Sequence, residues 1–425
     1  MRLSKSLFLC IIVGLLTLAL LAVTAHSHAF GTPEPVTPVA TPTPSESVLW
    51  NFDDSNHNDG TDPAADLISD ASGNLYGTTD VGGDNAGTVF ELTPPSTSGG
   101  SWGELILWNF GSYVGDGEAP KAGLIMDKNG DLYGTTEAGG VGDGTVFELT
   151  PPSSPGSKWN ESILYNFGHD ESGTAPDGAD PFADLIMDTS GNLYGTTQEG
   201  GTHYTPNSPF GGGTAFELVR PSTTGGDWTE TVLWSFGNGT DGADPRAGLI
   251  MDKSGNLYGT TQEGGAYGGE GTAFKLIPPS TSGGNWSESV LWSFGNGIDG
   301  FMPDAGLIVD KIGDLFGTTS SGSAGEGTVF ELIPPSTTGD KWGESILWNF
   351  GGSPDGSIPL AGLLMDKSGN LYGTTKEGGE LAGFGGFGFG AVFKLRSPRP
   401  VEGIGPSQSS GLSATAVTVN IPLPV

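Results

Sequence analysis

Acid-rich loops are the first places in this chain where chemistry could reside. Asp54-Ser-Asn56-His-Asn58-Asp59-Gly60 sets oxygen-bearing side chains at positions 54, 56, 58 and 59, a pattern suited to calcium, which takes several oxygen ligands in a flexible loop. Its glycine falls one position late for an EF-hand, and no following glutamate completes the set. Asp54, Asn56, Asn58 and Asp59 are therefore candidate calcium ligands, weighed against ordinary Asp-Gly turns. Comparable acids recur later: Asp116 with Glu118, Asp177 with Asp180, Asp241 with Asp244, Asp299 with Asp304, and Asp355. No other cofactor is indicated.

Other catalytic chemistries find little support. His57, His169 and His203 are too far apart in sequence to form an HxH or HxxxH zinc pattern. No GxSxG-like elbow occurs. The only cysteine, Cys10, lies in the apolar N-terminal run, which excludes thiol catalysis in the remainder. Glu104, Glu161, Glu230, Glu288 and Glu344 each stand two residues after a tryptophan. That recurrence is too uniform for a single active-site acid, and no catalysis is predicted. A hydrolase or lyase built from loop carboxylates is the alternative to test.

The frame for these loops is a repeat. The stretch AGLIMDKSGNLYGTT at 247–261 returns six times with small changes, its second half starting at Leu75, Leu132, Leu193, Leu257, Leu315 and Leu371. Regular spacing of this kind signals a repeat architecture. Each period reads as four short strands, here AGLIMD at 247–252 (A), NLYGTT at 256–261 (B), GTAFKLI at 271–277 (C) and ESVLWSF at 288–294 (D). Val290, Trp292 and Phe294 alternate as on one sheet face. The fold expected is all-β, a six-bladed β-propeller of four-stranded antiparallel blades.

The ends refine this reading. SESVLWNF at 45–52 is a D strand with no A, B or C before it, while the last C strand, Ala391 to Leu395, has no D after it. The ring is expected to be closed by this N-terminal strand, removing an unpaired edge; six complete units each starting at the LWNF strand is the other arrangement. Blades are expected at 65–110, 122–167, 183–236, 247–294, 305–350, and 361–395 with 46–52.

Outside the 46–395 propeller, residues 1–29 combine Arg2 and Lys5 with an apolar run and a small-residue site, as in a signal peptide. Residues 30–45 form a Pro/Thr-rich linker, and 396–425 a Ser/Pro-rich tail. Export to the cell surface or medium follows as an expectation. A net charge of −33 disfavours nucleic acid and anionic membrane as partners of the folded domain.

LYGTT, GTVFELTPPS, the Trp-x-Glu step and LWNF together resemble the GloVer (Gloeo/Verruco) tandem repeat of exported bacterial proteins, over roughly residues 46–395. The resemblance implies an exported or surface-attached protein and no particular activity. DKSGNLYGTT also resembles NHL-type propeller repeats, which implies that AGLIMD is the inner strand. The tail shows neither a PEP-type sorting helix nor an LPxTG-like signal.

Function is then sought where the repeat is broken. The third B–C loop carries an insertion, Thr202 to Gly212, with His203, Tyr204 and Phe210. The sixth, Glu380 to Gly390, holds Phe384, Phe387 and Phe389 among glycines. Exposed aromatics in such loops suit a surface glycan or protein, the partner classes expected. Asp70/Asn74, Asp127/Asp131, Asp188/Asn192, Asp252/Asn256, Asp310/Asp314 and Asp366/Asn370 recur in every A–B turn and are read as turn caps.

Overall fold

The computed structural model describes residues 48–396 except 53–59, 84–85, 155–156, 169–174, 205–209, 224, 282, 323–324, 338, 352–354 and 380–389. Every element among them is a strand. Six sheets follow one another as the blades of a propeller, five with four strands in the order A-B-C-D and the last with three.

The fourth blade shows why the repeat folds as it does. Its strands are Ile250–Met251, Leu257–Thr261, Thr272–Ile277 and Ser287–Ser293, so strand A is shorter than its apolar run. Asp252 caps the A–B turn as expected. Its Oδ1 accepts from Ser254 N and Asn256 N at 2.8 and 3.0 Å, and Gly255 takes the left-handed φ of +80° that the turn requires. Gly259 faces Phe274 across strands B and C. A Cβ on Gly259 would lie 2.7 Å from Phe274 Cζ and 2.9 Å from Leu249 Cδ2. Glycine thus lets the ring lie flat on the sheet.

Strand D departs from strict alternation. Ala273 pairs with Trp292 but Phe274 with Val290, so Leu291 forms a bulge. The bulge turns Leu291 inward, leaving it 8% exposed, and the same shift occurs in the four other complete blades.

The core lies between blades. Each of five apolar clusters draws its side chains from two successive sheets, as Phe236 of one blade and Leu249, Leu257, Phe274 and Leu276 of the next. Phe236 meets Phe274 with ring centroids 4.9 Å apart, and equivalent pairs recur at every junction, beginning with Phe52 on Phe90 at 5.0 Å. Such aromatic pairs add to the burial term.

Backbone staples reinforce the junctions. A two-stranded ribbon, Gly117–Glu118 with Ala138–Gly139 in the second blade, joins the D–A connection to the B–C loop. The next residue, Ala119, has φ +57°; its N–H donates to Ala86 O of the preceding blade and its carbonyl accepts from Glu137 N of its own. Asp180, Asp244, Met302 and Ile358 repeat this arrangement, each followed by proline. The ribbons were not foreseen from the sequence, which showed only Gly-rich loops.

The expected closing strand is not seen among the described residues. Residues 48–52 lie in no strand, and Ala391–Leu395 pairs with Leu371–Thr375 alone. Val392 is accordingly 52% exposed, whereas its counterparts Val89, Val146 and Val329 are fully buried. Phe52 nevertheless occupies the junction position of a D-strand phenylalanine.

Candidate functional site

Two departures from the repeat meet where the inner strands converge. The residue between Ala and Leu ahead of strand A is glycine in four blades (Gly123, Gly248, Gly306 and Gly362) and aspartate in two, Asp66 and Asp184. Successive inner segments abut here. A Cβ on Gly123 would lie 3.1 Å from Asp184 Oδ1 and 3.4 Å from Asp66 O, and one on Gly248 3.3 Å from Asp184 Cβ. Gly123 N–H donates to Asp184 Oδ1 at 2.5 Å. Burial pushes the Asp184 carboxyl above its ordinary range; the Gly123 hydrogen bond opposes this and the Asp66 charge adds to it. Asp66 itself is exposed. The Asp184 carboxyl is thus sheltered where successive inner segments meet, with the Asp66 charge near it.

A belt of charge runs from this centre along the adjoining rim. Lys121, two residues ahead of Gly123, pairs with Glu137 at 2.5 Å. Asp180 is pushed up to about 6 by burial, then by Glu137 and Asp143, with Lys121 opposing. Glu199 is raised by burial and by Asp180, Asp244 and Asp143. Arg246 Nε donates to both Asp244 oxygens at 3.1 and 3.2 Å, and Gln262 donates to Asp304. Among the described residues of this belt, Asp80, Glu137, Asp180, Glu199, Asp244, Glu263 and Asp304 thus face Lys121 and Arg246. Each stands at the end of strand B or in the segment leading into strand A, so the blade frame fixes its backbone.

The acids singled out in the D–A connections divide into two sets. Asp180, Asp244 and Asp304 belong to the belt. Asp116, Asp177, Asp241, Asp299 and Asp355 instead accept from Ser112, Tyr165, Trp234, Trp292 and Trp348 side chains. Asp54, Asn56, Asn58 and Asp59, together with Phe384, Phe387 and Phe389, lie outside the described residues. Among the described residues no three His, Cys, Asp or Glu side chains are grouped to hold a metal ion.

The insertion in the third blade is anchored at its start. Tyr204 OH accepts from Ala175 N at 2.9 Å, holding the loop against the D–A connection. His203 is half-buried with Nδ1 unbonded. Phe210 is 66% exposed while its carbonyl accepts from Gly200 N at 2.7 Å.

Asp66, Asp184, Lys121, Glu137, Glu199 and Arg246 were missed by sequence reading. The signal was present: ADL stands in two copies where AGL stands in four.

A family model described as the Gloeobacter/Verrucomicrobia repeat matches residues 26–206 and 204–402. No curated protein matches. Among solved structures, the chain is similar to a mutant of the GH43 protein BlXynB from Bacillus licheniformis at 11% identity and a TM-score of 0.31, covering 64% of this chain. It spans about half, 52%, of that structure's chain.

Proposed function

This chain belongs to the Gloeobacter/Verrucomicrobia repeat family, and from that premise we propose that it is an exported, non-catalytic interaction scaffold whose charged rim receives a cationic partner at the cell surface. The observation that carries this reading is the belt from Asp80 to Asp304, in which acids outnumber bases on a frame whose other positions repeat. Loops held by a rigid scaffold are where recognition tends to reside. Half-buried acids raised by one another gain most from a partner that brings positive charge.

The test is binding of basic peptides and amino-sugar oligosaccharides on arrays, at low and high salt. Salt-sensitive binding that is lost in an Asp180→Asn/Glu199→Gln variant of unchanged melting temperature is expected. Binding that is insensitive to these changes would sink the reading.

The axial carboxyls favour a second reading. In a hydrolase, Asp184 would act as the acid and the solvated Asp66 as the base. Turnover of a polysaccharide that is abolished by Asp184→Asn would replace the scaffold by this enzyme.

A further inference from the structure

Two blade junctions hold sheltered carboxylate oxygens that have no hydrogen-bond donor among the described residues. Asp241 and Asp299 are 7% and 3% exposed, yet their Oδ1 atoms have no hydrogen-bond donor. Each uses Oδ2 to accept from a tryptophan, Trp234 Nε1 at 3.3 Å and Trp292 Nε1 at 3.2 Å. Backbone groups of Asn238 and Asn296 favour the ionised form. Against each lies the outer-strand glutamate of the blade it leads into, Glu288 with Asp241 and Glu344 with Asp299. The Oε1 atoms of both glutamates are likewise sheltered and without a donor. A sheltered oxygen without a partner carries a desolvation cost and calls for an ion or a water.

The second blade shows a version in which the aspartate is satisfied. There both Asp116 oxygens have donors, Ser112 N on Oδ2 and Gly117 N on Oδ1, and Glu161 Oε2 accepts from Tyr113 OH at 2.7 Å while its Oε1 has no donor. In the Asp241–Glu288 and Asp299–Glu344 pairs the aspartate Oδ1 lacks such a donor, and the aspartate charge raises the glutamate. Neighbouring carboxyls whose sheltered oxygens lack donors gain from a cation that neutralises both. Oxygen-only ligands on connections of the form Gly-Asn-Gly-x-Asp-Gly suit a hard divalent ion, with water completing its shell.

We propose that Asp241 with Glu288 and Asp299 with Glu344 form two equivalent calcium sites, each tying the connection that leads into a blade to that blade's outer strand. The sites are separate from the charged rim and independent of the partner assigned to it.

The experiment is calcium titration of the chelator-treated full chain by calorimetry, paired with thermal melts. Glu288→Gln and Glu344→Gln are each expected to remove one bound equivalent. Together they should remove two and erase that part of the calcium-induced rise in Tm. Glu161→Gln, beside an aspartate whose two oxygens already have donors, should remove none. An unchanged stoichiometry in the double variant overturns the proposal. So does a Tm that responds to pH but not to calcium, since the pairs then bind a proton or water only. The glutamine variants should fold in chelator as well as the parent, because each loses a repelling charge; calcium uptake is therefore read on folded protein.

Discussion

Gly123 of the second blade donates its amide N–H to the carboxylate of Asp184 in the third, at 2.5 Å, with the Asp66 carbonyl also close by. This contact sits at a position where four repeats have glycine, so the frame does not need the acid. Asp184→Gly is expected to fold with a Tm equal to or above the parent's while losing rim binding or turnover. A large fall in Tm would instead assign Asp184 to stability.

Gly259 and Gly362 should respond differently to alanine. At Gly259 the new methyl would press on Phe274 and Leu249, and overpacking of this kind costs about 1–3 kcal/mol. At Gly362 nothing lies within 4 Å, and the change should stay within about 0.5 kcal/mol. Urea unfolding of both variants checks the contrast.

Ile358 holds a left-handed φ of +58° that a β-branched residue rarely adopts. Relieving it with Ile358→Gly should stabilise by about 1 kcal/mol, the left-handed penalty less the entropy that glycine adds. A lower melting temperature would mean that Ile358 packing outweighs the strain.

The outer-strand glutamates predict a pH dependence. Burial first, then their aspartate neighbours, raises Glu230, Glu288 and Glu344 to about 8, 7 and 8 from an ordinary 4.5. The folded chain therefore binds more protons than the unfolded one between these limits, and stability falls as pH rises through that window. In chelator, Tm should drop from about pH 5 to pH 8 and level off above. Replacing the three glutamates by glutamine should flatten the curve.

Residues 45–52 match the outer strand at 287–294 almost letter for letter, and Phe52 already sits on Phe90. Pairing of that segment with the exposed edge at Val392 is expected in solution. Deleting residues 46–52 should then lower Tm and promote association through the edge. A deletion variant that melts like the parent and stays monomeric would refute closure.

Much of the fold was legible because its determinants are local and repeated. Asp252 and Gly255 announce a turn, and LYGTT, TAFKLI and ESVLWSF announce strands. The bulge at Leu291 was hidden, since alternation in sequence says nothing about register against a partner. The Ala119 staple was hidden too, because it depends on a carbonyl in another blade. For the site, attention went to insertions and loop acids. Asp66 and Asp184 gain meaning only once strand A is known to abut its neighbour.

The staple at Ala119 and its counterparts joins each blade to the one before it, and the apolar clusters do the same. Stability is therefore shared between neighbours rather than held blade by blade, as in a one-dimensional chain of coupled units. With residues 46–52 deleted such a chain has open ends, and unfolding starts there. Amide exchange should be slowest in the third and fourth blades and fastest in the sixth, whose Leu364 and Val392 are 74% and 52% exposed.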